Sequence, residues 1–179
     1  MSLTVITGCM FSGKTTYLIK VINELISKNK DKDKNIYIIN SYLDTRTTTY
    51  IKTHDNIKFY ANKREHLNFT DNELATLQKS YDTIIIDEGQ FFPNLKHNIL
   101  RLLHYRFNIY IAGLDADSSQ QQFGEILDLI LIADYTIKLT GMCNICNNIG
   151  PFTKRINNNN TQILVGAENN YICVCRNHI

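Results

Sequence analysis

A β-branched run, Leu3-Thr-Val-Ile-Thr7, leads directly into Gly8-Cys-Met-Phe-Ser-Gly-Lys14-Thr15, and a stretch with one apolar helical face follows. This order constrains the fold more than any other feature of the chain. It specifies a buried strand, a tight glycine-bounded loop and the first turn of a helix, the context that a phosphate-binding loop requires. Gly8 and Gly13 allow the tight turn and a close backbone approach. The residues between them, Cys9, Met10, Phe11 and Ser12, then turn backbone N–H groups toward an anion at the helix start. In such a loop Lys14 reaches the β- and γ-phosphates and Thr15 places its hydroxyl on Mg²⁺. The competing reading is a strand-to-helix turn carrying an ordinary surface lysine.

The rest of the chain repeats the alternation. Leu18, Val21, Ile22, Leu25 and Ile26 predict a helix from Lys14 to Ser27, and the charged run from Lys28 to Lys34 reads as a solvated turn. Strands are predicted at Asn35 to Asn40, Asp82 to Asp87, Phe107 to Ala112 and Tyr135 to Leu139, with helices at Thr70 to Leu77, Asn94 to His104 and Phe123 to Ile132. Ser41 to Phe69 loses periodicity and reads as an irregular lid or loop, with a short edge strand around Ile57 to Tyr60. Strands separated by helices or long crossovers imply an α/β fold, a mostly parallel sheet flanked by helices. The character changes near residue 140, where an Asn-rich, Cys-containing tail begins. Asn157 to Asn160 reads as a turn and Gln162 to Val165 as a strand.

Composition narrows the function. With 179 residues the chain suits one main domain and a small appendage, and 44% hydrophobic content with few Gly and Pro argues for a folded protein. A net charge of +2 supplies no field calling for a nucleic-acid polymer as partner. The uncharged start, Met1 to Gly13, lacks a basic leader and is cut off by Lys14 too early to span a membrane. The reading is a cytoplasmic protein without a membrane partner. Five Cys is an odd number, and most of them crowd the end of the chain, which disfavours an extracellular disulfide framework.

Asp87 ends an apolar strand and Glu88 follows it at the sheet edge. Asp87 fits a magnesium-positioning carboxylate, and Glu88 can point elsewhere and take a proton from an acceptor hydroxyl. The plain alternative is a solvated acidic turn. Near the other end, Cys143-x-x-Cys146 and Cys175-x-x-His178 are two ligand pairs of knuckle spacing, which suit one tetrahedral zinc with no open position. Cys173 lacks paired spacing and is the spare. A lone Cys-x-x-Cys can also be redox active.

Taken in order, Gly8 to Thr15, Asp44-Thr-Arg46, Thr53-His-Asp55, Asp87-Glu-Gly-Gln-Phe-Phe92, Gly113-Leu-Asp115, Phe123-Gly124, Thr153-Lys-Arg155 and the terminal Cys/His set resemble thymidine kinases of the cellular and large-DNA-virus type, which are tetrameric and contain zinc. The resemblance covers nearly the whole chain. It implies a nucleotide-binding kinase domain over residues 1–140, and a zinc-binding lobe with a nucleoside-covering loop over 141–179. It implies transfer of the γ-phosphate of ATP to the 5′-hydroxyl of thymidine, with deoxyuridine as a second acceptor. Glu88 is then the general base, and Asp87 helps place Mg²⁺. Met10, Leu114 and Phe123 would form the base pocket, with Phe91 also at the substrate. Gln90 would position the acceptor, and Asp44 and Arg46 would close beside the substrates. Arg155 would add a phosphate contact. Ile163, Leu164, Val165, Gly166 and Tyr171 would belong to the covering loop. The alternative for Leu114 and Phe123 is a plain core role, and Tyr171, read alone, favours ordinary packing. The chain departs from the family at Asp117-Ser-Ser119, where an aromatic is usual, and at Gln120-Gln-Gln122, where basic residues are usual. Both departures bear on the choice of nucleoside and neither touches phosphoryl transfer.

Overall fold

The β-branched runs become one six-stranded sheet in the computed structural model, which describes residues 1–28, 35–45, 49–52, 57–156 and 170–179. In chain order the elements are β1 (Ser2–Gly8), α1 (Lys14–Lys28), β2 (Asn35–Ser41), β3 (Tyr50–Lys52), β4 (Lys58–Tyr60), β5 (Asn62–Arg64), α2 (Asp71–Ser80), β6 (Tyr81–Asp87), α3 (Leu95–His104), β7 (Asn108–Gly113) and β8 (Tyr135–Leu139). The tail adds β9 (Gly141–Met142), β10 (Ile149–Gly150), β11 (Phe152–Arg155) and β12 (Tyr171–Val174). The main sheet runs β5-β2-β6-β7-β1-β8, and every neighbouring pair in it is parallel.

Strand periodicity sorts the core into two layers. Leu3, Val5, Ile84, Ile86, Ile109 and Ile111 point to the face covered by α2 and α3, where they meet Leu74, Leu95, Ile99 and Leu102. Ile6, Ile85 and Ala112, the alternate residues, point to the other face against Leu18, Ile19 and Ile22 of α1. Burial on both faces explains the near-continuous Ile runs of β2 and β6. Each such side chain contributes about 1.5–3 kcal/mol on transfer from water. Thr70 begins α2 with a capping box, accepting from Glu73 N while the Glu73 carboxylate accepts from Thr70 N across 2.6 Å.

Parallel pairing brings the strand ends that matter to one edge. Gly8 lies opposite Leu139, Thr7 opposite Gly113, and Asn40 opposite Asp87. The carboxyl ends of parallel strands are where open α/β sheets bind ligands.

Two sequence expectations need correction, the helix at Phe123 to Ile132 and the reading of Ser41 to Phe69 as irregular throughout. Phe123 to Ile132 is not an α-helix: Gly124 has φ +60, the chain turns there, and Leu127–Ile132 closes as a 3₁₀ segment. The short edge strand expected around Ile57 to Tyr60 is present as β4, paired with β3 in a separate ribbon away from the edge of the main sheet. That edge is β5, whose Asn-Lys-Arg sequence carries no strand signal and is held by pairing with β2. The turn at 29–34, the Thr53-His-Asp55 motif and the strand expected at Gln162 to Val165 lie outside the described residues. Among the described residues, no helix is long and apolar enough to cross a membrane.

Candidate functional site

The phosphate loop sits between the end of β1 and the start of α1. Gly8 needs its missing side chain, since a Cβ there would lie 2.4 Å from Leu139 O, and Gly13 takes φ +84. Lys14 is buried and folds back, donating from Nζ to Gly8 O at 3.1 Å and to Cys9 O at 2.7 Å. Burial pushes its ammonium below the ordinary lysine value, and Glu88, Cys9, Asp87 and Asp115 oppose that shift. Ser12 Oγ is buried without a hydrogen-bond partner among the described residues. Phe11 is exposed at the loop tip in the left-handed region, with φ 64.

Thr15, in the first turn of α1, donates from Oγ1 to Asp87 Oδ2 at 2.8 Å. These are hard oxygen donors beside a phosphate loop, a donor set that suits Mg²⁺. Glu88 follows with φ 57 and ψ 42, in the left-handed region. Gln90 is buried and bridges two elements: Nε2 donates to Glu88 Oε2 at 2.6 Å, and Oε1 accepts from Leu114 N at 2.9 Å. Phe91 and Phe123 meet edge to face at 5.5 Å. Leu114 and Phe123 are both buried. Glu88, Gln90, Phe91, Leu114 and Phe123 are thus drawn together at the carboxyl edge of the sheet.

Asp44 is buried, and its Oδ2 accepts from Asn40 Nδ2 at 2.9 Å. Arg46, Ile163, Leu164, Val165 and Gly166 lie outside the described residues. Tyr171 stands opposite Arg155 on the β11–β12 hairpin and accepts from its Nη2 at 2.6 Å.

The tail returns to the phosphate loop through contacts that sequence reading missed. Met10 N donates to Thr153 Oγ1 at 2.9 Å, and the Cys9 and Cys173 sulfurs lie 3.7 Å apart. Thr153 stands inside a motif already singled out, whereas nothing local marks the thiol contact. Burial, and then the neighbouring Cys9 sulfur, push the Cys173 thiol up to about 12.

Cys143, Cys146, Cys175 and His178 place their ligand atoms within 4.8 Å of one another. Cys146 Sγ and Cys175 Sγ are 3.7 Å apart, and His178 Nδ1 lies 3.5 Å from Cys143 Sγ and 3.3 Å from Cys175 Sγ. A tetrahedral zinc with Zn–S bonds of about 2.3 Å needs ligand separations of about 3.5–3.8 Å, so the cluster can hold one zinc. Burial alone would raise the Cys143 thiol, but N–H groups of Cys175, Ile145 and Cys146 and the His178 ring bring it down to about 5. Cys173 is outside this cluster, as its spacing implied.

The family model described as "Thymidine kinase" matches residues 1–179. Thymidine kinase 1 of Dictyostelium discoideum is 36% identical over 96% of this chain and 74% of its own length. Thymidine kinase a of Arabidopsis thaliana is 36% identical over 97% of this chain and 73% of its own length. The thymidine kinase of Yaba monkey tumor virus (strain VR587) is 35% identical over 96% of this chain and 91% of its own length. With the phosphate loop, the paired carboxylates and the terminal thiol cluster all in place along that full-length match, the chain belongs to the thymidine kinase family.

Proposed function

We propose that the chain transfers the γ-phosphate of ATP to the 5′-hydroxyl of thymidine, and also of deoxyuridine, giving the nucleoside monophosphate and ADP. The observation that carries this reading is the position of Glu88. It is held by Gln90 one residue beyond the Thr15–Asp87 bond, beside the phosphate loop and the Phe91–Phe123 pair.

In this reading the N–H groups from Gly8 to Thr15 cradle the phosphates. Lys14 leaves the loop carbonyls for the β- and γ-phosphates, and Arg155 adds a further phosphate contact. Thr15 and Asp87 would hold Mg²⁺, which neutralises charge on the phosphate oxygens when bound. Glu88 accepts the proton of the 5′-hydroxyl as its oxygen bonds to the γ-phosphorus. The bond from that phosphorus to the bridging oxygen breaks, and ADP departs with the electron pair. Met10, Phe91, Leu114 and Phe123 supply the apolar walls for the base. We assign Asp44, Arg46, Tyr171 and residues 163–166 to the nucleoside end of the site. Zinc held by Cys143, Cys146, Cys175 and His178 is structural, because the protein fills all four positions. We divide the chain into a kinase domain over 1–140 and a zinc-binding lobe over 141–179.

We also propose a cytoplasmic homotetramer. Unpaired thiols suit a reducing compartment, and Leu131, Ile149, Tyr135 and Met142 are large apolar side chains left exposed on this one copy. The reading is tested by ADP release with Mg²⁺ and a panel of acceptors. Release that depends on thymidine supports it. Nucleotide binding without thymidine-dependent release points instead to a nucleotide-controlled scaffold. Use of thymidine monophosphate alone points to a kinase acting one step later.

A further inference from the structure

Gln90 links the carboxylate of Glu88 to Leu114, the residue just past β7, through hydrogen bonds at both ends of a single amide. A carboxylate only accepts and a backbone N–H only donates, so the orientation of that amide is fixed by its partners. Its Nε2 faces Glu88 and its Oε1 faces Leu114 N. The socket is cut to fit. A Cβ on Gly113 would lie 2.8 Å from Gln90 Oε1, and a Cβ on Gly124 would lie 2.3 Å from Gln90 O. Only 4% of Gln90 is exposed, so water competes poorly for either bond. Glu88 itself occupies the left-handed region, a conformation that persists in a non-glycine residue when its surroundings hold it.

We infer that Gln90 is a positioning residue that acts through Glu88 and does not read the nucleoside. Its acceptor oxygen is committed to Leu114 N and a donor to Glu88. Its amide therefore fixes one rotamer of the Glu88 carboxylate and ties that carboxylate to the backbone of Leu114, which carries the apolar wall of the pocket. Base and wall keep a constant separation, which is the geometric condition for proton transfer to an accurately placed acid or base. This inference rests on the reading of Glu88 as the base, and it departs from the substrate contact that family resemblance implies for Gln90.

The test uses Gln90→Leu and Gln90→Glu, each made in the native chain and in Glu88→Ala. Leucine removes both bonds at similar volume. Glutamate keeps an acceptor for Leu114 N but sets a like charge against Glu88, so it isolates the Glu88 half if the leucine variant folds poorly. Turnover is followed with γ-labelled ATP and thymidine over times long enough to count slow product. Thermal unfolding and ATP titration report the fold.

In the native background both changes are expected to lower kcat about 10- to 100-fold, as for loss of a charge-assisted hydrogen bond, with thymidine KM and ATP affinity within about twofold. In Glu88→Ala the same changes should alter kcat by less than about twofold, because the group through which Gln90 acts is already gone. A raised thymidine KM with kcat retained would assign Gln90 to the nucleoside and overturn the inference. An equal loss in both backgrounds would make its role generally structural and overturn it too. Full turnover by Glu88→Ala alone would instead remove the base reading on which the inference depends.

Discussion

Thr15 Oγ1 lies 2.8 Å from Asp87 Oδ2, joining the first turn of α1 to the last residue of β6. The two residues are far apart in sequence, and their meeting converts a phosphate loop and an acidic strand end into one site. On either side of this bond stand Lys14, folded onto the loop carbonyls, and Glu88, held by Gln90.

Lys14→Ala removes a buried ammonium together with its bonds to Gly8 O and Cys9 O. ATP affinity and turnover should fall together, with kcat/KM down about 100- to 1000-fold, as for loss of one preorganised charge-stabilising donor. Nucleotide titration and initial rates check this. Unchanged affinity and rate would contradict the loop contact.

Gly124→Ala places a Cβ 2.3 Å from Gln90 O at a residue with φ +60. The left-handed backbone alone costs about 1–2 kcal/mol for an alanine, and the clash adds to it. Denaturant unfolding should show that loss, and kcat should drop with it because Gln90 is pushed off Glu88.

How much of this was legible beforehand depends on the range of the interactions. The Gly8-to-Thr15 loop, the Asp87-Glu88 pair and the two Cys/His pairs are local patterns with fixed spacings; the loop falls between β1 and α1, Asp87 ends β6, and the four Cys/His ligand atoms cluster. Strand runs such as Ile84 to Ile86 announced themselves through burial on both faces. By contrast β5 is polar and exists because β2 offers it an open edge, which no window around Asn62 reveals. The Gln90 bridge to Leu114 and the Cys9–Cys173 contact are made by distant segments, so their signal is in the topology. Phe123 to Ile132 misled because its apolar content satisfies a helix, whereas Gly124 and the 3₁₀ bonds after it decide otherwise.

His178→Ala removes a ligand from the terminal cluster, while Cys173→Ser changes a thiol outside it. The first should weaken zinc binding by more than the roughly 10- to 100-fold typical of outer contacts, and the second should leave about one zinc per chain. Metal analysis of both purified proteins decides the ligand set. Thymidine titration then asks whether the lobe supports the nucleoside end: His178→Ala should weaken thymidine binding more than ATP binding. Full zinc occupancy in that variant would refute the four-ligand site.

Light scattering across a range of protein concentrations should return a tetramer mass. A persistent monomer would reject that assembly and leave the chemistry of the single chain to be judged separately.

The most direct measurement is transfer of label from γ-labelled ATP to thymidine with Mg²⁺, for the native chain beside Glu88→Gln. The native chain should form labelled thymidine 5′-monophosphate, and the variant should bind ATP almost normally while kcat falls about 100- to 10,000-fold, the usual contribution of a general base. Absence of labelled product from the native chain, or near-normal turnover by Glu88→Gln, would contradict the account.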